Sequence, residues 1–403
     1  MKYFITFLIA AFLLVPAFSE AQWNAIDQVI DKIDYNNVDK YVKELTGDLP
    51  VFVNEKEYYL TNRWYEDTLN YICRNYLQQK LNSFGYLTEN FIAGEMLGHL
   101  SESILAYKYG NDKKDEIVVF CAHYDTGGPD VPGADDNASG CSAVMEAARI
   151  LKDHQFEKTI LFALWDNEEA GPMGSWKWAD TMKKAGFMNI SCINMDMIAY
   201  SHSDDHLLEI RGDTNTSIYP LLERIFETAE KSEFNTKLAF KQDVFCGDQV
   251  GFAYNDYPAI TFIERRDKEY FNPCYHQPCD IFDNLTVDYF HKNVRFCIQT
   301  LCNWAEIINP SIISYKKGMN NFIKAYPNPT NGTVHFEMQS EHEYEVITLY
   351  NCIGEKIFEL NVNDHIPDII IDLDDYQIPK GIYFARFHSF DDQRSLLRKI
   401  VYK

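Results

Sequence analysis

Two hydrophobic periods alternate along the first three quarters of the chain. Residues 24–48 set Ile26, Val29, Ile30 and Ile33 at helical spacing, and residues 60–84 do the same with Leu69, Ile72, Tyr76 and Leu77. Both stretches predict helices, the second ended by Gly85, with no chemistry of their own and a sheet face to cover. Between them Leu49 to Leu60 is rich in Val, Phe and Tyr and fits neither period. From Glu116 the texture changes to unbroken apolar runs, namely Glu116 to Ala122, Thr159 to Trp165, Ser191 to Met195 and Ala259 to Ile263. Strands apolar on both sides, alternating with helical segments such as Ser139 to His154, define an α/β class with the sheet buried on both faces.

A second texture begins after Pro310. Ser311 to Asn321 is polar, and then short alternating runs (Thr333 to Met338, Glu345 to Tyr350, Gly381 to Arg386) are separated by turn signals. This pattern predicts a small all-β sandwich of roughly 80 residues with no cluster of His, Asp and Glu. At the other end Lys2, an apolar run from Phe4 to Val15, Pro16 and Ser19-Glu20-Ala21 read as a secretory signal with a small-x-small cleavage site. That run is too short for a spanning helix of about 20 residues, and no later stretch qualifies as transmembrane. The expected organisation is therefore 1–21 signal peptide, 22–310 catalytic-type domain, 311–322 linker and 323–403 β-sandwich.

Charge and cysteines narrow the picture further. The formal net charge of -23 argues against a nucleic-acid partner, because phosphate binding needs an excess of Lys and Arg. Of the 10 cysteines, Cys121 and Cys192 sit in apolar runs and read as core residues, while Cys274 and Cys279 flank His276 and could clamp its loop. No Cys-x-x-Cys pair occurs, which argues against a thiolate zinc site.

Chemistry-bearing residues fall just past the carboxyl ends of the strands, the edge where open α/β sheets build sites. They are His123-Tyr124-Asp125, the turn Gly133-Ala134-Asp135-Asp136-Asn137-Ala138-Ser139-Gly140, Glu168-Glu169, Asp196 and His276. Taken singly, each has an ordinary structural role; Asp135-Asp136 could simply cap a helix. Jointly, they read as a centre for two zinc ions. Imidazole and carboxylate suit zinc at about 2.0–2.2 Å, and two metals about 3.5–4 Å apart need a bridge that a carboxylate provides. Asp135, in its small-residue turn, is the expected bridge. His123, Asp135 and Asp196 would then hold one ion, and Asp135, Glu169 and His276 the other. Glu168 is the expected general base, and Asp125 the residue that orients His123 through its second ring nitrogen. Asn137-Ala138-Ser139 is formally a glycosylation sequon, but it lies inside the proposed site and is set aside.

On these motifs the chain resembles the co-catalytic zinc aminopeptidases, the family of bacterial leucyl aminopeptidases and glutamate carboxypeptidase II-like enzymes. The resemblance covers about residues 25–308 and rests on His123-Tyr124-Asp125, Gly133 to Gly140, Glu168-Glu169 with Gly171 to Ser175, Met195-Asp196-Met197 and Tyr275 to Asp280. It implies a mainly parallel eight-stranded sheet sandwiched by helices, peptide substrates and the same ligand set. The loop from His123 to Asp135 is shorter than in many members, and Asn167 stands where Gly or Ser is common. The tail, through Tyr326-Pro327-Asn328-Pro329, Leu349-Tyr350-Asn351 and Gly381-Ile382-Tyr383, resembles the sorting domain of type IX secretion. That implies outer-membrane secretion machinery as a partner and a secreted or surface-attached protein. The leading expectation is an exported di-zinc aminopeptidase. The alternatives are a glutaminyl cyclase on the same fold, a carboxypeptidase or dipeptidase, and a binding protein without catalysis.

Overall fold

The computed structural model describes residues 20–96, 98–202, 206–213, 217–232, 234, 236–242 and 247–308, and in the tail 323–338, 346–351, 356–361, 368–376, 378–388 and 395–403. Residues 1–19 of the expected signal segment and the expected linker 311–322 lie outside them. The chain divides into two compact units, Met1–Pro310 and Ser311–Lys403.

The amino-terminal region differs in detail from its periodicity. Residues 24–48 are two helices, α1 (Glu20–Ile30) and α2 (Tyr35–Leu45), because Asp34 breaks the run and caps α2 by accepting from Asn36 N at 3.0 Å. The stretch that fits no period is a two-stranded hairpin, β1 (Val51–Val53) and β2 (Lys56–Tyr58), turning through Asn54 and Glu55 at positive φ. Helix α3 (Thr68–Ser83) starts later than its apolar pattern, since Asp67 caps it by accepting from Leu69 N at 2.9 Å. Residues 60–67 run as an irregular segment that reaches the site.

The first unit is organised on one sheet of β3 (Thr88–Met96), β4 (His99–Lys108), β5 (Lys113–His123), β6 (Lys158–Trp165), β7 (Ile190–Met195), β8 (Leu207–Gly212), β9 (Lys237–Gln242) and β10 (Ala259–Glu264). Its order is β3-β4-β6-β5-β7-β10-β8-β9. The central pairs β6-β5, β5-β7 and β7-β10 are parallel, as is β8-β9, while β3-β4, β4-β6 and β10-β8 are antiparallel. Successive residues of β5 alternate between two cores, as the strand pleat requires. Val118, Phe120 and Ala122 join a cluster with α1, α2, α3, α4 (Gly140–Leu151), α6 (Tyr219–Lys231) and α8 (Val287–Trp304). Ile117, Val119 and Cys121 face α5 (Met173–Lys184) and α7 (Gln249–Tyr254). The sheet is therefore sandwiched, and the parallel register brings the carboxyl ends of its central strands to one edge: His123 lies opposite Trp165, and Cys121 opposite Asn194.

The second unit packs two antiparallel sheets. One has the order β11 (Ile323–Tyr326), β12 (Thr333–Met338), β15 (Asp368–Asp372). The other runs β14 (Lys356–Asn361), β13 (Val346–Asn351), β16 (Gly381–His388), β17 (Ser395–Tyr402). Val334, Phe336 and Ile371 of the first meet Ile347, Leu349, Ala385, Phe387 and Ile400 of the second, with the Phe336 and Phe387 rings 5.0 Å apart. An α/β unit followed by a small β-sandwich is the architecture read from the sequence. Among the described residues no helix is long and apolar enough to cross a membrane.

Candidate metal centre

The loops leaving β5, β6, β7 and β10 converge on two imidazoles and four carboxylates. His123, the last residue of β5, is 1% exposed and points Nε2 at Asp136 Oδ1 (3.3 Å) and Asp196 Oδ1 (3.6 Å). His276 points Nε2 at Asp136 Oδ2 (3.2 Å) and Glu169 Oε2 (2.8 Å). One carboxylate thus sits between two nitrogen–oxygen groups and offers each a separate oxygen. Glu168 joins His123 and Glu169 in a third cluster of potential ligand atoms within 4.8 Å of one another.

The central carboxylate is Asp136 and not Asp135, which corrects the expected bridge. Asp136 has non-helical backbone angles (φ -108°, ψ 87°), so the two neighbouring side chains leave the turn in different directions. The Asp135 oxygens are already taken: Oδ1 accepts from Ala199 N and Oδ2 from Asn272 Nδ2, both at 2.9 Å. Its remaining neighbour is Glu264, buried beside it. Burial pushes Asp135 up to about 6 against the contacts of Asn272 and Glu264, and pushes Glu264 well above the usual carboxyl range, with the Asp135 charge adding to the effect. Asp135 belongs to a buried acid pair behind the site.

The turn itself is fixed from several sides. Gly133 adopts φ +68°, where a Cβ would lie 2.4 Å from Asp136 O, so the turn requires glycine there. Asn137 Nδ2 donates to Met195 O at 2.9 Å, burying the amide of the formal sequon, and Ser139 Oγ donates to Asp135 O at 2.7 Å. Arg63, fully buried in the irregular segment before α3, donates to the carbonyls of Tyr124 (2.6 Å), Pro132 (2.5 Å), Gly133 (2.9 Å) and Leu45. Hydrophobic period carries no trace of Arg63's role, and with Thr61, Asn62, Glu66 and Asp67 around it Arg63 reads as one more polar residue of a loop.

Asp125 lies beside the second ring nitrogen of His123, with its carbonyl oxygen 3.3 Å from Nδ1, and its carboxylate also holds the glutamate pair. His123 Nδ1 lies 3.4 Å from Asp125 Oδ1, while Asp125 Oδ1 and Oδ2 accept from Glu168 N (3.1 Å) and Glu169 N (3.0 Å). The adjacent Asn167 sits at φ +60°, Met197 after Asp196 at φ +53°, and His276 at φ +56°. Left-handed non-glycine residues cost roughly 1–2 kcal/mol each and gather where surrounding structure holds a site in place. The His276 loop is closed by the Cys274–Cys279 disulfide, and Tyr275 stacks on the His276 ring at 3.7 Å. The other described cysteines, Cys73, Cys121, Cys141, Cys192, Cys297 and Cys302, are free and buried.

Electrostatically the cluster is short of positive charge. Burial alone would raise Asp136, but the two imidazoles outweigh it and hold that carboxyl below its usual range. Burial and the Asp136 charge push Glu169 up to about 8, and burial pushes Glu168 well above its usual value. Burial by itself would lower His276, yet Asp136 and Glu169 raise it to about 10. Glu169 Oε1 and His276 Nε2 are buried without an aligned hydrogen-bond partner. Each imidazole is thus drawn toward holding a proton among carboxylates, and a divalent cation could take that proton's place. One nitrogen with carboxylate oxygens is a donor set suited to zinc, so the residues fit the expected metal.

A hydrolase-type carboxylate–imidazole centre at the carboxyl edge of a helix-sandwiched sheet is the class that fold and site define. Residues 104–301 match Peptidase family M28 and residues 324–403 match the Secretion system C-terminal sorting domain. That stretch of the first unit carries the peptidase family M28 domain, and the tail carries the sorting domain. It is 28% identical over 200 residues to a probable zinc metalloprotease of Pyrenophora tritici-repentis, covering 40% of this chain and 41% of that one. It is 31% identical over 189 residues to aminopeptidase YwaD of Bacillus subtilis, covering 46% and 41%. The chain therefore spans about two fifths of the length of these curated relatives. Two solved structures share the fold. The Legionella pneumophila LapA aminopeptidase has TM-score 0.62 and 19% identity, covering 76% of this chain and 80% of that one. Porphyromonas gingivalis glutaminyl cyclase has TM-score 0.55 and 18% identity, covering 67% and 98%.

Proposed function

We propose that this protein is an exported, zinc-dependent aminopeptidase that removes amino-terminal residues from peptides. The observation that carries the reading is the Asp136 carboxylate, with Oδ1 toward His123 and Asp196 and Oδ2 toward His276 and Glu169. His123, Asp136 and Asp196 would hold one zinc ion, and Asp136, Glu169 and His276 a second. Bound there, the ions would supply a water of lowered pKa and polarise the scissile carbonyl. Glu168 accepts the proton of the attacking water and returns it to the departing amine, a task suited to a buried carboxyl whose proton affinity is raised. Asp125 fixes the direction of Glu168 and Glu169 by holding both of their backbone N–H groups. The free amine as the recognised end is taken from the likeness to YwaD, and export by the type IX route from the sorting-domain tail.

The test is an assay of aminoacyl chromogenic amides, amino-terminal glutaminyl peptides and amino-blocked peptides, with chain that is untreated, chelated or zinc-restored. Zinc-dependent cleavage confined to free-amine substrates is expected. Glu168→Gln should keep its zinc and lose activity by roughly 10²–10⁴-fold, the usual contribution of a general base. Cyclisation of glutaminyl peptides without hydrolysis would replace this reading with the cyclase, and cleavage of blocked peptides with a carboxypeptidase.

A further inference from the structure

The Asp136 turn and the His276 loop come from distant parts of the sequence, and one buried side chain joins them. Asp280, 1% exposed, accepts from Asp135 N at Oδ1 (2.9 Å) and from Asp136 N at Oδ2 (3.0 Å), and its carbonyl accepts from Ala134 N (3.1 Å). Three consecutive N–H groups of the turn thus end on a single residue. Asp280 lies four residues after His276, directly beyond the Cys274–Cys279 disulfide, and its own N–H donates to Gln277 O at 3.0 Å. At the other end of the loop Asn272 donates to Asp135 Oδ2 at 2.9 Å and accepts from Cys274 N at 2.8 Å. His276 is therefore held midway between two attachments to the turn that presents Asp136.

We propose that Asp280 is a positioning residue for the metal centre, its carboxylate setting the distance between Asp136 and His276. The inference rests on the zinc reading given above and adds a residue to which neither the ligand set nor the general base assigns a role. A carboxylate that accepts both N–H groups fixes the direction of the next side chain, as Asp125 does for Glu168 and Glu169. A carboxamide of the same shape has one acceptor, and it turns an NH2 group toward a second N–H. Removing the charge beside Asp135 and Asp136 also relieves repulsion when no cation is bound. The positioning role and a purely structural role therefore move zinc affinity and metal-free stability differently.

The experiment uses the full chain and Asp280→Asn, with zinc affinity and stoichiometry measured by competition with a chromophoric chelator, and the melting temperature of the metal-free protein read alongside. Asp280→Asn is expected to bind zinc roughly 10–100-fold more weakly, the usual effect of losing a residue that orients ligands, with the metal-free melting temperature unchanged or raised. Zinc affinity equal to that of the unsubstituted chain overturns the proposal. So does weaker binding matched by a collapse of metal-free stability, which would assign Asp280 to the fold. Asp280→Ser, with less bulk, repeats the comparison should the Asn variant not accumulate, and failure of both to fold overturns it as well. An unsubstituted chain that binds zinc but cleaves no peptide removes the aminopeptidase reading and leaves this one standing; one that binds no zinc removes both.

Discussion

Asp135-Asp136 and Glu168-Glu169 are the same motif built twice with different results. Each is a pair of adjacent carboxylates past a strand, and in each a distant aspartate accepts both backbone N–H groups: Asp280 for the first pair, Asp125 for the second. In the glutamate pair both side chains reach the cluster, Glu169 toward His276 and Glu168 beside His123. In the aspartate pair only Asp136 does, and Asp135 turns back onto Ala199 and Asn272. The difference lies in the backbone of the turn, where Asp136 takes non-helical angles and its side chain leaves away from that of Asp135. Two adjacent acids are therefore not interchangeable candidates, and the turn decides which one faces the two imidazoles.

Substituting within the aspartate pair breaks the comparison most sharply. Asp136→Asn is expected to lose both zinc ions and to cut peptide cleavage by ~10³-fold or more, on the scale of removing a group at the reacting centre. Asp135→Asn, which breaks one of the two ties between the turn and the His276 loop, should cost about 10–100-fold, the usual range for ligand-orienting residues; zinc titration and kcat/KM on both variants read the contrast, and equal losses would erase it. A comparable effect is expected at Gly127, where an added Cβ would lie 2.5 Å from His276 Cδ2. Gly127→Ala should displace that ring and weaken zinc binding by about 10–100-fold. Gly128→Ala meets only Val131 Cγ2 at 3.4 Å and should leave binding unchanged.

The smallest expected effect concerns pH and the acids behind the two pairs. Burial raises Asp166 from 3.8 to about 8, with the Asp125 charge adding to the shift, although Asn70 Nδ2 and Glu102 N donate to its carboxyl. A carboxyl whose folded pKa lies above its unfolded value binds more protons in the folded state. Its stabilisation is complete below about 4 and is lost as pH rises through about 8. The metal-free chain should therefore melt at lower temperature at pH 8 than at pH 5, and Asp166→Asn should flatten that slope; calorimetry at the two pH values checks both.

How much of this was legible beforehand follows from which interactions leave a period in the sequence. The central strands and α4 were, because burial on both faces writes unbroken apolar runs and a helical stripe. His123, Glu168, Glu169, Asp196 and His276 were, because strand ends in a parallel sheet share one edge. The antiparallel strands β3 and β4 were not distinguished, since exposed apolar positions such as Ile92 and Leu100 interrupt the alternation. The choice of Asp136 over Asp135 depends on two backbone angles, and the role of Asp280 on a contact 144 residues away along the chain. Neither leaves a mark in composition or spacing.

Arg63 shows that the stretch matched by the peptidase family and the mechanically intact site have different borders. The part of the chain that matches the peptidase family begins at residue 104, yet Arg63, well before that point, grips the carbonyls of Tyr124, Pro132 and Gly133. It also ties them to Leu45 at the end of α2. A fragment cut at residue 104 would keep the proposed ligands and discard the brace behind them. The smallest piece that can work is therefore set by this guanidinium, and it reaches back at least to the opening helices.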